Sequence, residues 1–102
     1  MRVALDDAGR VRSIEQAVEA CAFGQASAAL VATGAIGMNS AEAAGALARV
    51  ERWLDEDVTE PWPGIGALEA ARGRRGRHGA ILLPFRALVA AIVEATNGEA
   101  SR

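Results

Sequence analysis

The chain has 102 residues, of which 51% are apolar and 24% are charged, and its net charge is −2. A chain of this length buries one core and is not easily divided, so we expect a single domain over residues 1–102. Its hydrophobicity and small net charge exclude a disordered chain. Lysine and tyrosine are absent, and cysteine and histidine occur once each, as Cys21 and His78. These counts exclude an internal disulfide, a CxxC metal site and a two-histidine zinc site within one chain.

No segment is typical of a targeting signal or a membrane span. The longest stretch without a charged residue, residues 20–41, is interrupted by polar residues and glycines, whereas a membrane span needs about 20 strongly apolar residues. No basic and then apolar leader opens the chain. We therefore expect a cytoplasmic protein that does not enter a membrane.

The N-terminal residues predict a β-hairpin. Val3 and Leu5 occupy alternate positions, and the following residues 7–9, Asp-Ala-Gly, supply a short loop with a glycine for positive φ. The second strand would run over residues 11–18. A helix beginning at Ser13 is an alternative, because Ser13 followed by Gln16 resembles a capping box.

Two helices are predicted after the hairpin. The segment from residue 24 to about residue 35 is rich in alanine and almost uncharged, which favours a helix that is buried on most faces. Gly34 and Gly37 would end it. Ser40 would cap a second helix over residues 41–54, in which apolar residues recur at three- and four-residue steps.

A basic, glycine-rich run separates the last two predicted helices. A short helix would begin near Pro63, and residues 72–79, RGRRGRHG, would form a loop because they show no hydrophobic periodicity. The last, amphipathic helix would run over residues 80–96, with Pro84 in its first turn, where a missing N–H does least harm. A frayed tail would follow over residues 97–102. The predicted class is α+β, a small antiparallel N-terminal sheet packed against three to four helices.

The two tryptophans flank an acidic connector. We expect Trp53 to lie in the core and Trp62 to be a half-buried anchor of a Pro-Trp-Pro turn. The acidic residues between them lack the spacing and the glycine of a calcium loop, so we expect them to be solvated.

Cys21 and His78 are the candidate ligands. Each precedes a predicted helix, and the positive end of a helix dipole favours a thiolate, and with it metal ligation or sulfur transfer. Two helix N-termini carrying a thiol and an imidazole would suit a soft metal. The alternatives are a buried structural cysteine and a solvated surface histidine. Two ligands are also too few, since zinc takes four, or three and an open position.

The arginines of residues 72–77 suggest phosphate binding, because guanidinium groups bind phosphates through paired hydrogen bonds. The chain as a whole is acidic, however, and no aromatic residue lies within the run. We therefore favour a solvated loop, or a loop that docks on an acidic protein surface, over the third alternative of a nucleic-acid site.

Two segments resemble the NifU N-terminal (IscU-like) family of iron–sulfur cluster scaffolds. They are residues 10–30, RVRSIEQAVEACAFGQASAAL, and residues 77–88, RHGAILLPFRAL. The resemblance extends over residues 2–95. It implies an α+β domain that presents three cysteines and an aspartate from converging loops. In that family these residues hold zinc or a nascent [2Fe–2S] cluster, and a cysteine desulfurase delivers the sulfur.

Only part of the family's ligand set has a counterpart in this chain. Cys21 matches the second cysteine. The first cysteine and the aspartate belong to a Cys-Gly-Asp turn before the first strand, which this chain begins too late to contain. The third cysteine falls at Ala80, and the histidine of some members falls at Gly79, next to His78. The Leu-Pro-Pro-Val-Lys chaperone-docking sequence of one branch is absent.

The resemblance implies a non-enzymatic, scaffold-like protein of iron–sulfur cluster assembly. It would bind metal, as zinc, iron or a [2Fe–2S] cluster, or accept sulfur, through Cys21 with help from His78. Its partners would be a cysteine desulfurase and iron–sulfur acceptor proteins. One thiolate per chain is too few for a cluster, whereas a homodimer sharing both residues would offer two cysteines and two histidines. The alternative is a small interaction or dimerisation module with a buried structural cysteine and no metal.

Overall fold

A computed structural model of the chain describes residues 1–55 and 60–100, without the side chains of the last two residues. Two strands, β1 (Arg2–Leu5) and β2 (Val11–Glu15), precede helices α1 (Ala22–Gly34) and α2 (Ser40–Asp55), a 3₁₀ helix (Ile65–Ala71) and helix α3 (Arg75–Ala100). The predicted α+β class is confirmed. Part of the acidic connector, residues 56–59, and the tail residues 101–102 lie outside the described residues.

The hairpin forms as predicted, and the helical alternative from Ser13 is wrong. β1 and β2 pair antiparallel, with Val3 opposite Ile14 and an irregularity before Leu5. The carboxylate of Asp6 accepts hydrogen bonds from two backbone N–H groups of the turn, and Gly9 has a φ of 77°. The strand β2 ends at Glu15 and not at residue 18, because residues 16–20 leave the sheet to reach α1.

Helix α3 is the centre of the core. It packs against α1, α2, the 3₁₀ helix and β1, and its inward side chains are almost fully buried: Ile81, Phe85, Leu88 and Ile92. Among the described residues, α3 is also the helix that is long and apolar enough to cross a membrane by length and composition. Of the apolar window, 39% is buried inside the fold.

The start of α2 is capped by Asn39 and not by Ser40. The side-chain oxygen of Asn39 accepts the N–H of Glu42 at 2.8 Å, and the carboxylate of Glu42 accepts the N–H of Asn39 at 3.2 Å. This reciprocal pair is a capping box. Arg10 donates to the same carboxylate at 2.6 Å and to the carbonyl of Gly37, so the hairpin is tied to the start of α2.

Glu42 is expected to make the stability of the fold depend on pH. Its hydrogen bond with the backbone of Asn39, and then the guanidinium of Arg10, hold the pKa of Glu42 below its usual value. A carboxylate with a depressed folded pKa adds stability that is present above its unfolded pKa, about 4.3. This stability is lost as the pH falls through the folded pKa.

Urea unfolding of wild type and Glu42→Gln at several pH values measures the effect. The wild type should lose more stability on acidification, and parallel curves for the two proteins would contradict this assignment.

The run at residues 72–79 is largely helical, and its prediction as a loop is wrong. Helix α3 begins at Arg75. Arg72 lies over the ring of Trp53, 4.8 Å from its centroid, and donates to the carbonyl of Trp53 at 2.8 Å. His78 contacts the carbonyl of Arg72 and the carboxylate of Asp55. These contacts join the end of α2 to the start of α3 and favour the helix.

Pro84 lies in the interior of α3 and not in its first turn. A proline has no N–H, so the carbonyl of Ala80, four residues earlier, lacks its usual helical donor. The hydroxyl of the fully buried Ser27 on α1 donates to the next carbonyl, that of Ile81, at 2.6 Å. At its other end the helix continues past the predicted stop at residues 97–98 as far as Ala100.

Trp53 is buried as predicted, but Trp62 is not half-buried. Only 2% of the surface of Trp62 is exposed, and its ring meets that of Phe85 edge to face, with the centroids 5.0 Å apart. The indole N–H donates to the carbonyl of Leu30 at 3.1 Å. Trp62 is therefore one of the largest side chains in the core.

Candidate functional site

Cys21 lies at the N-terminus of α1, as the sequence predicts. It is the N-cap residue, with an extended backbone conformation, and its thiol makes no capping hydrogen bond. The helix starts two residues earlier than predicted, which places the sulfur directly on its first turn. The side chain is half-exposed, so the alternative of a buried structural cysteine is not favoured.

The surroundings of Cys21 favour its thiolate. The backbone N–H of Gly24 is the largest cause that lowers the pKa of Cys21, and the N–H of Phe23 and the positive charge of Arg77 act in the same direction. Partial burial opposes them, and the net pKa lies below the ordinary value. The free N–H groups of a first helical turn stabilise an anion in this way. A thiolate is the nucleophilic and metal-binding form of cysteine.

The first turn of α1 lies against α3 at Ala80. A Cβ atom added at Gly24 would lie 3.5 Å from the carbonyl oxygen of Ala80 and 3.8 Å from its methyl group. Ala80 is the position at which the resemblance places a third cysteine. A methyl group, which cannot ligate a metal, therefore faces the helix turn that begins at Cys21.

His78 points away from the contact between Ala80 and the first turn of α1. Its Nε2 lies 2.7 Å from the carbonyl oxygen of Arg72, and its Nδ1 lies 3.7 Å from the carboxylate of Asp55 at the end of α2. Residues two apart on a helix lie on nearly opposite sides. Since Ala80 faces α1, His78 faces α2. Both imidazole nitrogens face groups of the same chain, so the structure gives His78 a role in packing α2 on α3.

The described residues include no group of three or more histidine, cysteine and acidic side chains that would hold a metal ion. Zinc takes four ligands, or three with an open position. The donor set of the described residues therefore does not fit a zinc ion or an iron–sulfur cluster.

Sequence reasoning missed the role of Arg77 and a groove on the surface of α3. The sequence predicts Arg77 in a loop that is solvated or docks on an acidic protein surface, whereas its charge acts on Cys21 across the contact between two helices. The groove, between residues 16–20 and α3, has a volume of about 270 Å³. A helical reading of residues 77–88 would have placed Arg77 one turn before Ala80, since residues three and four apart share a face.

The fold and the site define a class: a small α+β domain in which a half-exposed cysteine with a lowered pKa caps the first helix, whose first turn contacts the last helix. The chain is similar to the crystal structure of a nitrogen-fixing NifU-like protein (N-terminal) from Brucella abortus, with a TM-score of 0.80 and 28% sequence identity. The match covers 93% of this chain and 67% of that chain. Scans of protein-family models and of curated proteins found no match.

This similarity confirms the resemblance found in the sequence. The structural match covers nearly the whole chain, in keeping with the span of residues 2–95 expected from the two matching segments. The two-stranded sheet and the helices that follow agree with the predicted architecture.

Proposed function

We propose that this protein is a scaffold-like, non-enzymatic component of iron–sulfur cluster assembly, and that Cys21 accepts sulfur from a partner. The similarity to the NifU-like structure supports the assembly context. The observation that carries the chemistry is the half-exposed thiol whose pKa is lowered by the first turn of α1. The donor set supports sulfur acceptance over metal holding, because the described residues include no group of three or more histidine, cysteine and acidic side chains that would hold a metal ion.

The proposed step is the transfer of one sulfur atom between thiols. The thiolate of Cys21 attacks the terminal sulfur of a donor persulfide, R–S–SH. A sulfur–sulfur bond forms to Cys21 while the donor's sulfur–sulfur bond breaks, and its electron pair leaves with the donor as a thiolate. The proton stays on the transferred sulfur, so Cys21 becomes a persulfide. Oxidant and reductant are not needed, and the N–H groups of Gly24 and Phe23 stabilise the attacking thiolate.

Incubation with glutathione persulfide, followed by intact-mass analysis, tests this proposal. Wild type should gain the mass of one sulfur atom, removable by a reductant, and Cys21→Ser should gain none. The rate should reach half its maximum at a pH below that of a free cysteine, about 8.5, because the pKa of Cys21 is lowered. A wild-type protein that gains no sulfur, while free cysteine does so under the same conditions, would refute the proposal.

Metal binding by Cys21 is the second part of the test. Elemental analysis of purified wild type and Cys21→Ser compares their zinc and iron. The ligand set among residues 1–55 and 60–100 is incomplete, so we expect both proteins to carry equally little metal. Metal that is present in wild type and lost in the variant would favour the metal-binding role that the resemblance implies, with ligands from a second chain.

A further inference from the structure

One side of helix α3 carries apolar side chains that the described part of the chain leaves uncovered. Leu83 is 63% exposed and Val93 is 46% exposed, and Ala90 is exposed between them. Residues three, four and seven apart share a face of a helix, so these positions form one stripe. We name this stripe, within residues 83–94, the outer face of α3. A row of exposed apolar side chains is typical of an interaction surface.

The outer face also carries one positive and one negative charge. Arg86 lies four residues before Ala90 and Glu94 lies four residues after it, and both are exposed. Within the described residues neither forms an ion pair. Arg2 and Glu94 border the same hollow without forming an ion pair there. Two opposite charges are thus placed at equal distances from a small residue.

This arrangement is complementary to itself. If two copies of the outer face meet antiparallel, with a two-fold axis at Ala90, each Arg86 lies beside the partner's Glu94. A parallel pair would bring like charges together instead. The small side chain of Ala90, at the crossing point, allows the two helices to approach closely. The charges therefore select a second copy of this chain in one orientation.

The same charges disfavour a membrane as the occupant of this surface. Helix α3 is apolar and long enough to span one by length and composition. Arg86 and Glu94, however, are exposed on the outer face and lie only about 12 Å apart along the helix axis. A bilayer that covered Leu83 and Val93 would have to accommodate both charges in or near its hydrocarbon core, which is costly.

We infer that the protein forms a homodimer through antiparallel contact between the outer faces of two α3 helices. Leu83 and Val93 supply its apolar contacts, and Arg86 with the partner's Glu94 supplies two equivalent ion pairs. One face of one helix is a small interface, so the dimer should dissociate at about micromolar concentrations or above.

Such a dimer keeps the two thiols apart. The first turn of α1, which Cys21 caps, contacts α3 at Ala80. Ala80 precedes Ala90 by about 15 Å along the helix, so the two-fold axis places the two thiol sites at opposite ends, about 30 Å apart. The dimer therefore differs from one in which two chains share Cys21 and His78. It does not depend on the proposed function.

Analytical ultracentrifugation of charge-reversal variants tests the inference, in the presence of a reductant that prevents disulfides through Cys21. Between about 1 μM and about 1 mM, the mean mass of wild type should rise from 10.6 kDa toward twice that value. Arg86→Glu and Glu94→Arg should each associate about tenfold more weakly or less, because one substitution acts at two places in a symmetric dimer.

A mixture of these two variants should associate again. The first variant carries two acidic side chains on its outer face and the second carries two basic ones, so both ion pairs can form between unlike chains. Arg12→Glu is the matched control, since it reverses an exposed charge on β2, outside the outer face. It should associate like wild type. Circular dichroism verifies that each variant folds.

Disulfide trapping tests the position of the two-fold axis. In a Cys21→Ser background, Ala90→Cys brings two thiols together at the axis, and mild oxidation should give a covalent dimer. Ile36→Cys, at a 51% exposed position between α1 and α2, should stay mainly monomeric.

Three results would overturn the inference. The first is a wild type that stays monomeric throughout the concentration range, including one that instead binds phosphatidylcholine vesicles. The second is a mixture of the charge variants that associates no better than either alone. The third is equal trapping of Ala90→Cys and Ile36→Cys. None of these results bears on sulfur transfer to Cys21, which is measured separately.

Discussion

Replacing Trp62 by alanine should lower the free energy of unfolding by about 3–5 kcal/mol, the usual cost of removing a buried aromatic side chain. Only 2% of Trp62 is exposed, and its ring contacts Phe85 edge to face. The substitution also leaves the carbonyl of Leu30 without the indole donor. Because a domain of this size has a total stability of about 5–15 kcal/mol, the variant should be close to unfolding at ordinary temperature.

Urea unfolding followed by circular dichroism measures this loss, and Val93→Ala is the control. Val93 is 46% exposed on the same helix as Phe85, and its truncation should change stability by no more than about 0.5 kcal/mol. Equal effects from the two substitutions would mean that Trp62 does not occupy the core position described above.

Gly34→Val should destabilise the protein by about 3 kcal/mol, at the upper end of the usual cost of overpacking. A Cβ atom added at Gly34 would lie 2.5 Å from Cζ2 of Trp62. The atoms it meets belong to a rigid ring that is packed on Phe85, so neither the ring nor the helix end moves easily. The thermal midpoint and the urea midpoint should both fall.

In contrast to Gly34→Val, the substitution Gly79→Ala should raise the stability of the protein. Apart from its chain neighbours and the backbone of its own helix, nothing lies within 4 Å of a Cβ added at Gly79, which is an exposed residue of α3. Alanine is the better helix former by about 1 kcal/mol, so this variant should be more stable than wild type. A loss of stability in Gly79→Ala would contradict the helical start of α3.

The elements with a clear local pattern were predictable from the sequence. Alternation and a glycine turn located the hairpin, and apolar spacing located α2 to within about one residue. The predicted capping residue of α2, Ser40, is one position after the observed one, Asn39. Asn39 and Ser40 are both good capping residues, and the distance to Glu42 decides between them.

The start of α3 was not predictable in this way. The arginine- and glycine-rich run has no apolar period, and Gly76 and Gly79 each disfavour a helix by about 1 kcal/mol relative to alanine. What holds the helix is distant in sequence: Arg72 on Trp53, and His78 against Asp55. Such tertiary contacts routinely outweigh local preference.

The burial of Trp62 was missed for a related reason. A tryptophan between two prolines suggests a surface turn, but the 3₁₀ helix that follows carries Ile65 and Leu68 into the core beside it. Only the packing of α1 and α3 around this segment shows that the ring lies inside.

The candidate site was half predictable. The helix dipole argument placed Cys21 at a helix N-terminus, where the structure has it. The predicted convergence of Cys21 and His78 also required the last helix, α3, to start at residue 80. Because α3 starts at Arg75, His78 lies within the helix and its side chain faces α2.

The N-cap position of α1 has a consequence for the balance between stability and reactivity. Serine, threonine, aspartate and asparagine are the residues that best satisfy the free N–H groups there, whereas Cys21 forms no such bond as a thiol. Cys21→Ser should therefore gain up to about 1 kcal/mol of stability while losing the chemistry. Exchange of the sulfur of Cys21 for oxygen would thus give a more stable but unreactive protein. The reactive thiol therefore has a modest cost in the stability of the fold.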